Sequence, residues 1–191
     1  MTLRFTIDTC CVIDAAQQEH AWQEVNELVE LAQQGVIELW LTAAFDGDQR
    51  RAAADKLAVN QHWLEERPII GRTVNPARLD YSEAQLGEIV LVGEEDDVAD
   101  QNIQDLLPRV SRGRRRPDEA GAHPKIDDVH HLSSHRVQGN DVFVTRDSDM
   151  LDIRDQLLAR VGILVETPAE ALAQAREHRE RLSEGPEGEV S

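Results

Sequence analysis

Residues 139–151, "GNDVFVTRDSDML", combine a turn, a short apolar strand and two aspartates, Asp147 and Asp149, that directly follow the strand. Aspartate is common in turns, so these carboxylates can simply end the strand. A functional role requires further carboxylates at the same place, because several acids in one pocket repel one another unless a cation is bound. The rest of the chain therefore decides between a turn and a site.

Short apolar segments and amphipathic segments alternate along most of the chain. Strands are predicted for "LRFTID" (3–8), "VIELWLTAAF" (36–45), "DVFVT" (141–145) and "ILVE" (163–166). Helices are predicted for residues 20–34, 48–64, 125–139, 148–162 and 168–182. Strands that alternate with helices form a mostly parallel sheet with helices on both faces. We therefore expect an α/β protein, a three-layer α/β/α fold with a mostly parallel central sheet.

The length of 191 residues suits one domain with a substantial core better than two domains. We expect one domain over residues 1–170, interrupted by a weakly patterned excursion at about 69–125. Within the excursion, "SEAQLGEIVLVG" (82–93) predicts a helix, and the Pro- and Gly-containing residues 109–123 predict a flexible, arginine-rich loop. Residues 171–191 should form a terminal helix and a disordered tail.

The charge of the chain is strongly acidic, with a formal net charge of −17. This charge argues against a protein that coats nucleic acid, since such binding is driven by Lys and Arg side chains. One basic cluster stands apart from it, formed by Arg109, Arg112, Arg114, Arg115 and Arg116. The cluster is either a solvated linker or a contact for RNA phosphates, made by Arg112, Arg114, Arg115 and Arg116.

The sequence also predicts the compartment. It contains no apolar run long enough to cross a membrane, and its N-terminus lacks a charged region followed by a long apolar stretch. Cys10 and Cys11 are neighbours and cannot form an ordinary structural bridge with each other. We therefore expect a soluble protein of the reducing cytoplasm, without a membrane partner.

Carboxylates follow the predicted strands at their C-terminal ends; they are Asp8, Asp46 or Asp48, and Asp147 with Asp149. Asp128 begins a predicted helix, where the free N–H groups favour an acid. Taken alone, Asp128 is a typical helix cap. In parallel sheets, ligands bind beyond the carboxyl ends of the strands, so these acids can share one edge. Clustered oxygen ligands select Mg²⁺ or Mn²⁺, and such an ion favours phosphodiester hydrolysis.

Two segments resemble the PIN domain family of metal-dependent ribonucleases, which includes the toxin nucleases of toxin–antitoxin pairs. "FTIDTCCVID" (5–14) resembles the family's first strand and D-T-[NC] turn. "DDVHHLSSHRVQGNDVFVTRDSDML" (127–151) resembles its D-x-x-H-x-x-x-A-x-x-x-G-x-D-x-x-x-T-x-D segment. The matching positions of the longer segment are Asp128, His131, Gly139, Asp141, Thr145 and Asp147.

The resemblance implies an endoribonuclease that uses one or two Mg²⁺ or Mn²⁺ ions. Its catalytic residues would be Asp8, Asp128 and Asp147, and its metal ligands would be these three with Asp149 and Asp46. The resemblance further implies RNA as substrate, an antitoxin protein as partner and a homodimer. Thr9 and Thr145 either orient the neighbouring carboxylates or satisfy only local backbone groups.

The sequence departs from the family pattern at two places. The family commonly has a Glu after the second strand, where this chain offers Asp46 or Asp48, with Asp46 slightly favoured. His135 stands where a small residue is usual, so either close helix–sheet packing is in doubt or another imidazole lies near the site. His131 and His135 have the spacing of a zinc pair, but no Glu between them and no Cys pair accompany it.

Two other functions compete with the ribonuclease. An inactive PIN-like adaptor that binds RNA or protein is favoured by the missing Glu and by the net charge. An acid-cluster phosphatase with an aspartyl nucleophile is disfavoured, because its D-x-D signature needs an acid where Cys10 stands.

Overall fold

The computed structural model describes residues 2–42, 44–45, 54–67, 69–73, 75–76, 89–90, 94–107 and 123–184. The strands of this part of the chain are β1 (Leu3–Ile7), β2 (Ile37–Leu41), β3 (Ile69–Arg72), β4 (Asn75–Pro76), β5 (Ile89–Val90), β6 (Val142–Val144) and β7 (Val165–Glu166). Its helices are α1 (Thr9–Gln17), α2 (Trp22–Gln33), α3 (Ala54–Glu65), α4 (Glu94–Leu106), α5 (His123–Gln138), α6 (Ser148–Leu151), α7 (Arg154–Val161) and α8 (Pro168–Glu184).

Five strands form one sheet in the order β3-β2-β1-β6-β7, and every pair in it is parallel. β1 is the central strand, paired with β2 from Leu3 to Ile7 and with β6 from Phe5 to Ile7. β4 and β5 form a separate short parallel pair. The expected α/β class with a parallel central sheet is confirmed.

Helices cover both faces of the sheet, and the side chains of β6 show the division. Val142 and Val144 belong to the core cluster that contains residues of α1, α2 and α8. Phe143, which points to the opposite face, belongs to the cluster that contains residues of α4, α5, α6 and α7. The alternation of buried residues along one strand therefore produces the three layers.

Local capping fixes where the elements begin and end. Asp8 and Asp147 are the N-caps of α1 and α6. The Asp8 side chain accepts the backbone N–H of Thr9, and the Asp147 side chain accepts that of Asp149. Gly139 follows α5 with a φ of 68°, a left-handed conformation that glycine adopts without strain. The predicted end of α5 at Gly139 is thus confirmed.

Several predicted boundaries are wrong. Residues 94–106, for which the sequence predicted no helix, form α4. Ile89 and Val90 were predicted as part of a helix and form strand β5. The helix predicted over 148–162 divides into α6 and α7. α5 begins at His123, which the loop prediction had included, whereas α8 begins at Pro168 as the helix prediction for 168–182 had it. Asp46, Asp48 and the arginines of the basic cluster lie outside the described residues.

Within the described ranges, no helix is both long enough and apolar enough to cross a bilayer.

Candidate active site at the carboxyl edge of the sheet

Asp8 and Asp147 follow adjacent parallel strands. The last residues of β1 and β6, Ile7 and Val144, are register partners. The Asp8 backbone N–H donates to the Val144 carbonyl at 2.9 Å, so the chain leaves both strands side by side. We call the edge at which β1, β2 and β6 end the carboxyl edge. The expectation that these two acids share it is met by the topology.

The Asp8 side chain is held from two sides. Its Oδ1 accepts the Thr9 backbone N–H at 2.7 Å. Its Oδ2 accepts the Thr145 hydroxyl at 2.6 Å and the Cys10 thiol at 3.1 Å. The residue is only 6% exposed. Because each carboxylate oxygen offers about two acceptor positions, Oδ1 retains one for a cation, while Oδ2 is saturated.

Thr145 joins the two acids. Its hydroxyl donates to Asp8 and also accepts the backbone N–H of Asp147 at 3.0 Å. The Thr145 side chain is fully buried, and its hydrogen bond to Asp8 is shielded from bulk water. Thr145 therefore orients the Asp8 carboxylate through its hydroxyl and holds Asp147 only through a backbone contact. For Thr9 the contact with Asp8 comes from the backbone N–H.

Asp147 carries the electrostatic signature of a crowded acidic edge. Partial burial raises the pKa of its carboxyl, and the negative charges of Asp8 and Asp149 raise this pKa further. The backbone N–H groups of Asp149 and Met150 act in the opposite direction. Asp149 is in the first turn of α6, and its N–H donates to Asp147 at 2.7 Å. A positive ion at this edge would relieve the repulsion.

Asp128 approaches the same edge on α5. The helix runs antiparallel to the strands: the His135 Nδ1 bonds to the Thr6 hydroxyl within β1 at 2.8 Å, and the His131 Nδ1 bonds to Thr42, which follows β2. Asp128 lies a further three residues towards the start of α5, about 4.5 Å along the axis. Its half-buried side chain is thus on the portion of α5 that passes the carboxyl edge.

The acids of the carboxyl edge are not drawn into a closed cluster. Among the described residues, the potential metal ligands whose ligand atoms all lie within 4.8 Å of one another are Asp14, Glu19 and His20. Asp8, Asp128, Asp147 and Asp149 do not form such a group in this part of the chain. Ionised carboxylates repel one another, and a cation is what brings them together.

His135 packs inside the helix–sheet interface. It is buried, and its ring meets Phe143 edge to face with a centroid distance of 5.5 Å. Burial lowers the pKa of His135 to about 3, so the imidazole is neutral. The departure from a small residue at this position is therefore accommodated by close packing.

An ion pair beside the acids has no counterpart among the sequence predictions. Arg146, between Thr145 and Asp147, donates through Nε and Nη2 to both oxygens of Asp14 on α1. Asp14 is almost fully buried, with 3% of its side chain exposed. The available signal was an acid within the otherwise apolar run "CCVIDAA", because a buried carboxylate requires a partner.

Comparisons with known proteins add no family to this geometry. No family model, curated protein or solved structure matches the chain. The resemblance to PIN domains thus rests on the sequence motifs around Asp8 and Asp147 alone.

Proposed function

We propose that this protein is a metal-dependent endoribonuclease that hydrolyses RNA phosphodiester bonds at the carboxyl edge. The observation that carries the proposal is the link Asp8–Thr145–Asp147, in which one buried hydroxyl bonds to the Asp8 carboxylate and to the backbone N–H of Asp147, two acids that repel each other. Repelling carboxylates reduce the stability of a fold, so their placement at a ligand-binding edge favours a functional role. RNA as the substrate, and an antitoxin and a homodimer as the assembly, rest on the resemblance to PIN domains.

The donor atoms at the carboxyl edge fit Mg²⁺ or Mn²⁺. Asp8, Asp147, Asp149 and Asp128 would hold the ion through oxygen atoms, which these hard cations prefer. The hydrogen bond with Cys11, burial and the charge of Asp8 together raise the pKa of the Cys10 thiol. A protonated thiol is a poor metal ligand, so the edge suits an oxygen-binding ion better than zinc.

The residues of this chain orient the acids of the carboxyl edge. A metal ion held by Asp8, Asp147, Asp149 and Asp128 would supply an activated water and stabilise charge on the phosphate. Thr145 and the Thr9 N–H fix the direction of the Asp8 carboxylate, and Thr145 also fixes the backbone of Asp147. His135 is buried with its Nδ1 bonded to the Thr6 hydroxyl, and a pKa of about 3 makes its neutral imidazole too weak a base to accept a proton near neutral pH.

Chelation and ion replacement test this function. Purified protein is treated with EDTA, freed of the chelator and incubated with a fluorescently labelled RNA and one added ion. We expect cleavage with Mn²⁺ or Mg²⁺ and none with Ca²⁺ alone, since Ca²⁺ accepts a looser geometry and makes a bound water less acidic. Full cleavage in EDTA would contradict the metal-dependent reaction. RNA binding without cleavage under every ion would instead favour the adaptor.

A further inference from the structure

Arg146 occupies a distinctive position at the carboxyl edge. It directly follows Thr145, which bonds to Asp8, and directly precedes Asp147. Its backbone N–H donates to the Cys10 sulfur at 3.4 Å, which sets this peptide against the turn that carries Asp8. Arg146 thereby places a cationic side chain directly beside the proposed metal ligand Asp147.

The guanidinium group of Arg146 is both fixed and accessible. Nε and Nη2 donate to Asp14, the Nη2 distance being 3.0 Å, and the carboxylate that receives them is buried. The arginine side chain is 39% exposed. An arginine carries five N–H donors, and within the described residues Nη1 makes no hydrogen bond. A buried anchor with an exposed fork is a preorganised arrangement for a second anion.

The distance from the acids suits a neighbouring phosphate. Asp14 lies six residues after Asp8 on the same helix, which is about 9 Å along its axis. A phosphate at Asp8 and Asp147 would therefore leave Arg146 within reach of another phosphate of the same strand. Contacts of this kind position a nucleic acid without reading its sequence.

We infer that Arg146 binds an RNA backbone phosphate next to the one that is cleaved, and that Asp14 acts as the positioning residue that holds the guanidinium there. The inference rests on the proposed ribonuclease function and assigns part of its substrate site. It also supplies a phosphate contact that does not depend on the basic cluster at 109–116. A purely structural ion pair would stabilise α1 against β6 and leave RNA binding unchanged.

Charge-neutral double variants separate the two roles. Arg146→Gln alone leaves the buried Asp14 carboxylate unpaired and is expected to destabilise the fold. Asp14→Asn combined with Arg146→Gln removes both charges and keeps the net charge of the protein. Glu27→Gln combined with Arg176→Gln is the matched control, because Arg176 also binds a carboxylate through Nε and Nη2, at 2.8 and 2.6 Å, between α8 and α2.

The measurement is the affinity of each full-length protein for a labelled single-stranded RNA, followed by fluorescence anisotropy over a series of KCl concentrations in EDTA. We expect the Asp14/Arg146 double variant to bind about tenfold more weakly, as the loss of one charged hydrogen-bonded contact predicts. The slope of log affinity against log salt should fall by about 0.7, the value for one single-strand phosphate. The control pair should match the wild type in both quantities.

Three further results complete the test. Arg146→Lys keeps the positive charge and loses the planar guanidinium group, so it should retain the wild-type salt slope and bind RNA more weakly. If circular dichroism shows that the double variant is unfolded, the RNA affinity of Arg146→Lys tests the inference in its place. Wild-type affinity and slope in the double variant, or the same losses in the control pair, would overturn the inference, as would a wild type that binds no RNA. Arg146-dependent binding without Mn²⁺-dependent cleavage would overturn the nuclease function alone.

Discussion

The Thr145 hydroxyl bonds to the Asp8 carboxylate and to the backbone N–H of Asp147, so its removal gives the sharpest stability prediction. Thr145→Val preserves the branched shape and replaces the hydroxyl with a methyl group. The variant loses the 2.6 Å bond to Asp8 Oδ2 and leaves the Asp147 N–H without its 3.0 Å acceptor. The Thr145 side chain is fully buried, so water does not replace its contact with Asp8.

The magnitude follows from the two losses. A hydrogen bond to a charged group contributes about 1.5–3 kcal/mol, and an ordinary one about 1 kcal/mol. Cys10 still donates to Asp8 Oδ2 at 3.1 Å, which places the first loss near the lower end of its range. We expect Thr145→Val to lower the free energy of unfolding by roughly 2–3 kcal/mol in metal-free protein.

Urea unfolding at pH 7 measures this change, and Thr145→Ser is the matched control. Serine keeps the hydroxyl and loses one buried methyl group, which should lower stability by about 1 kcal/mol. A double-mutant cycle with Asp8→Asn should show a coupling free energy on the order of 1 kcal/mol between the two positions. Equal losses in the Val and Ser variants, or no coupling with Asp8, would refute the role of the hydroxyl.

Three further predictions concern charge. Asp147→Asn should be more stable than the wild type at pH 7 and lose this advantage as the pH falls, because the wild type loses stability as the pH rises through the raised pKa of Asp147, while Asn still caps α6. Urea unfolding at pH 7 and at an acidic pH measures the difference, and a variant less stable than the wild type at pH 7 would contradict the prediction. His135→Gln should flatten the fall in stability between pH 6.5 and about 3, because in the wild type the His135 imidazole takes up a proton in this range only when the protein is unfolded. The slopes of unfolding free energy against pH should differ between wild type and variant by up to roughly 1.4 kcal/mol per pH unit, and parallel curves would contradict the low pKa of His135. Replacing Arg114, Arg115 and Arg116 with Gln should lower the salt slope of RNA binding by roughly two units and leave cleavage of prebound RNA unchanged; an unchanged slope would identify the segment as a solvated linker.

The strands and helices around the acids could be predicted because their signals are local. β1, β2 and β6 are short apolar runs, and α2 shows apolar residues at helical spacing up to Gly35. Since parallel strands present their carboxyl ends together, the positions of Asp8 and Asp147 after β1 and β6 followed from the order of the elements.

The helix α4 could not be predicted in the same way. Its sequence "EEDDVADQNIQDL" is rich in acids and amides, and few of its side chains are apolar. Its stability depends on tertiary contacts: Ile103 is buried in the core, Asp100 accepts the Ser133 hydroxyl, and Asp96 pairs with Arg136. The last two contacts join α4 to α5 across more than thirty residues of sequence, as their separations of 33 and 40 show.

The ion pair of Asp14 and Arg146 was missed for a related reason. The two residues are separated by 132 positions, and neither is a matching motif position of the PIN-like segment that contains it. Their contact exists because β1 and β6 are neighbours, which brings the start of α1 against the segment after β6. A local pattern identifies which residues end a strand, whereas pairing between side chains requires the assembled sheet.

The rate of RNA cleavage in Mn²⁺ by wild type, Asp147→Asn and Asp97→Asn, compared at equal protein concentration, tests the proposed function most directly. Asp97 is an exposed aspartate of α4, so its variant makes the same change of charge away from the carboxyl edge. The proposed site predicts wild-type cleavage by Asp97→Asn and a loss of at least about tenfold to a hundredfold in Asp147→Asn, the range found when the partners of metal ligands are removed. Cleavage by Asp147→Asn at the wild-type rate would contradict catalysis at the carboxyl edge.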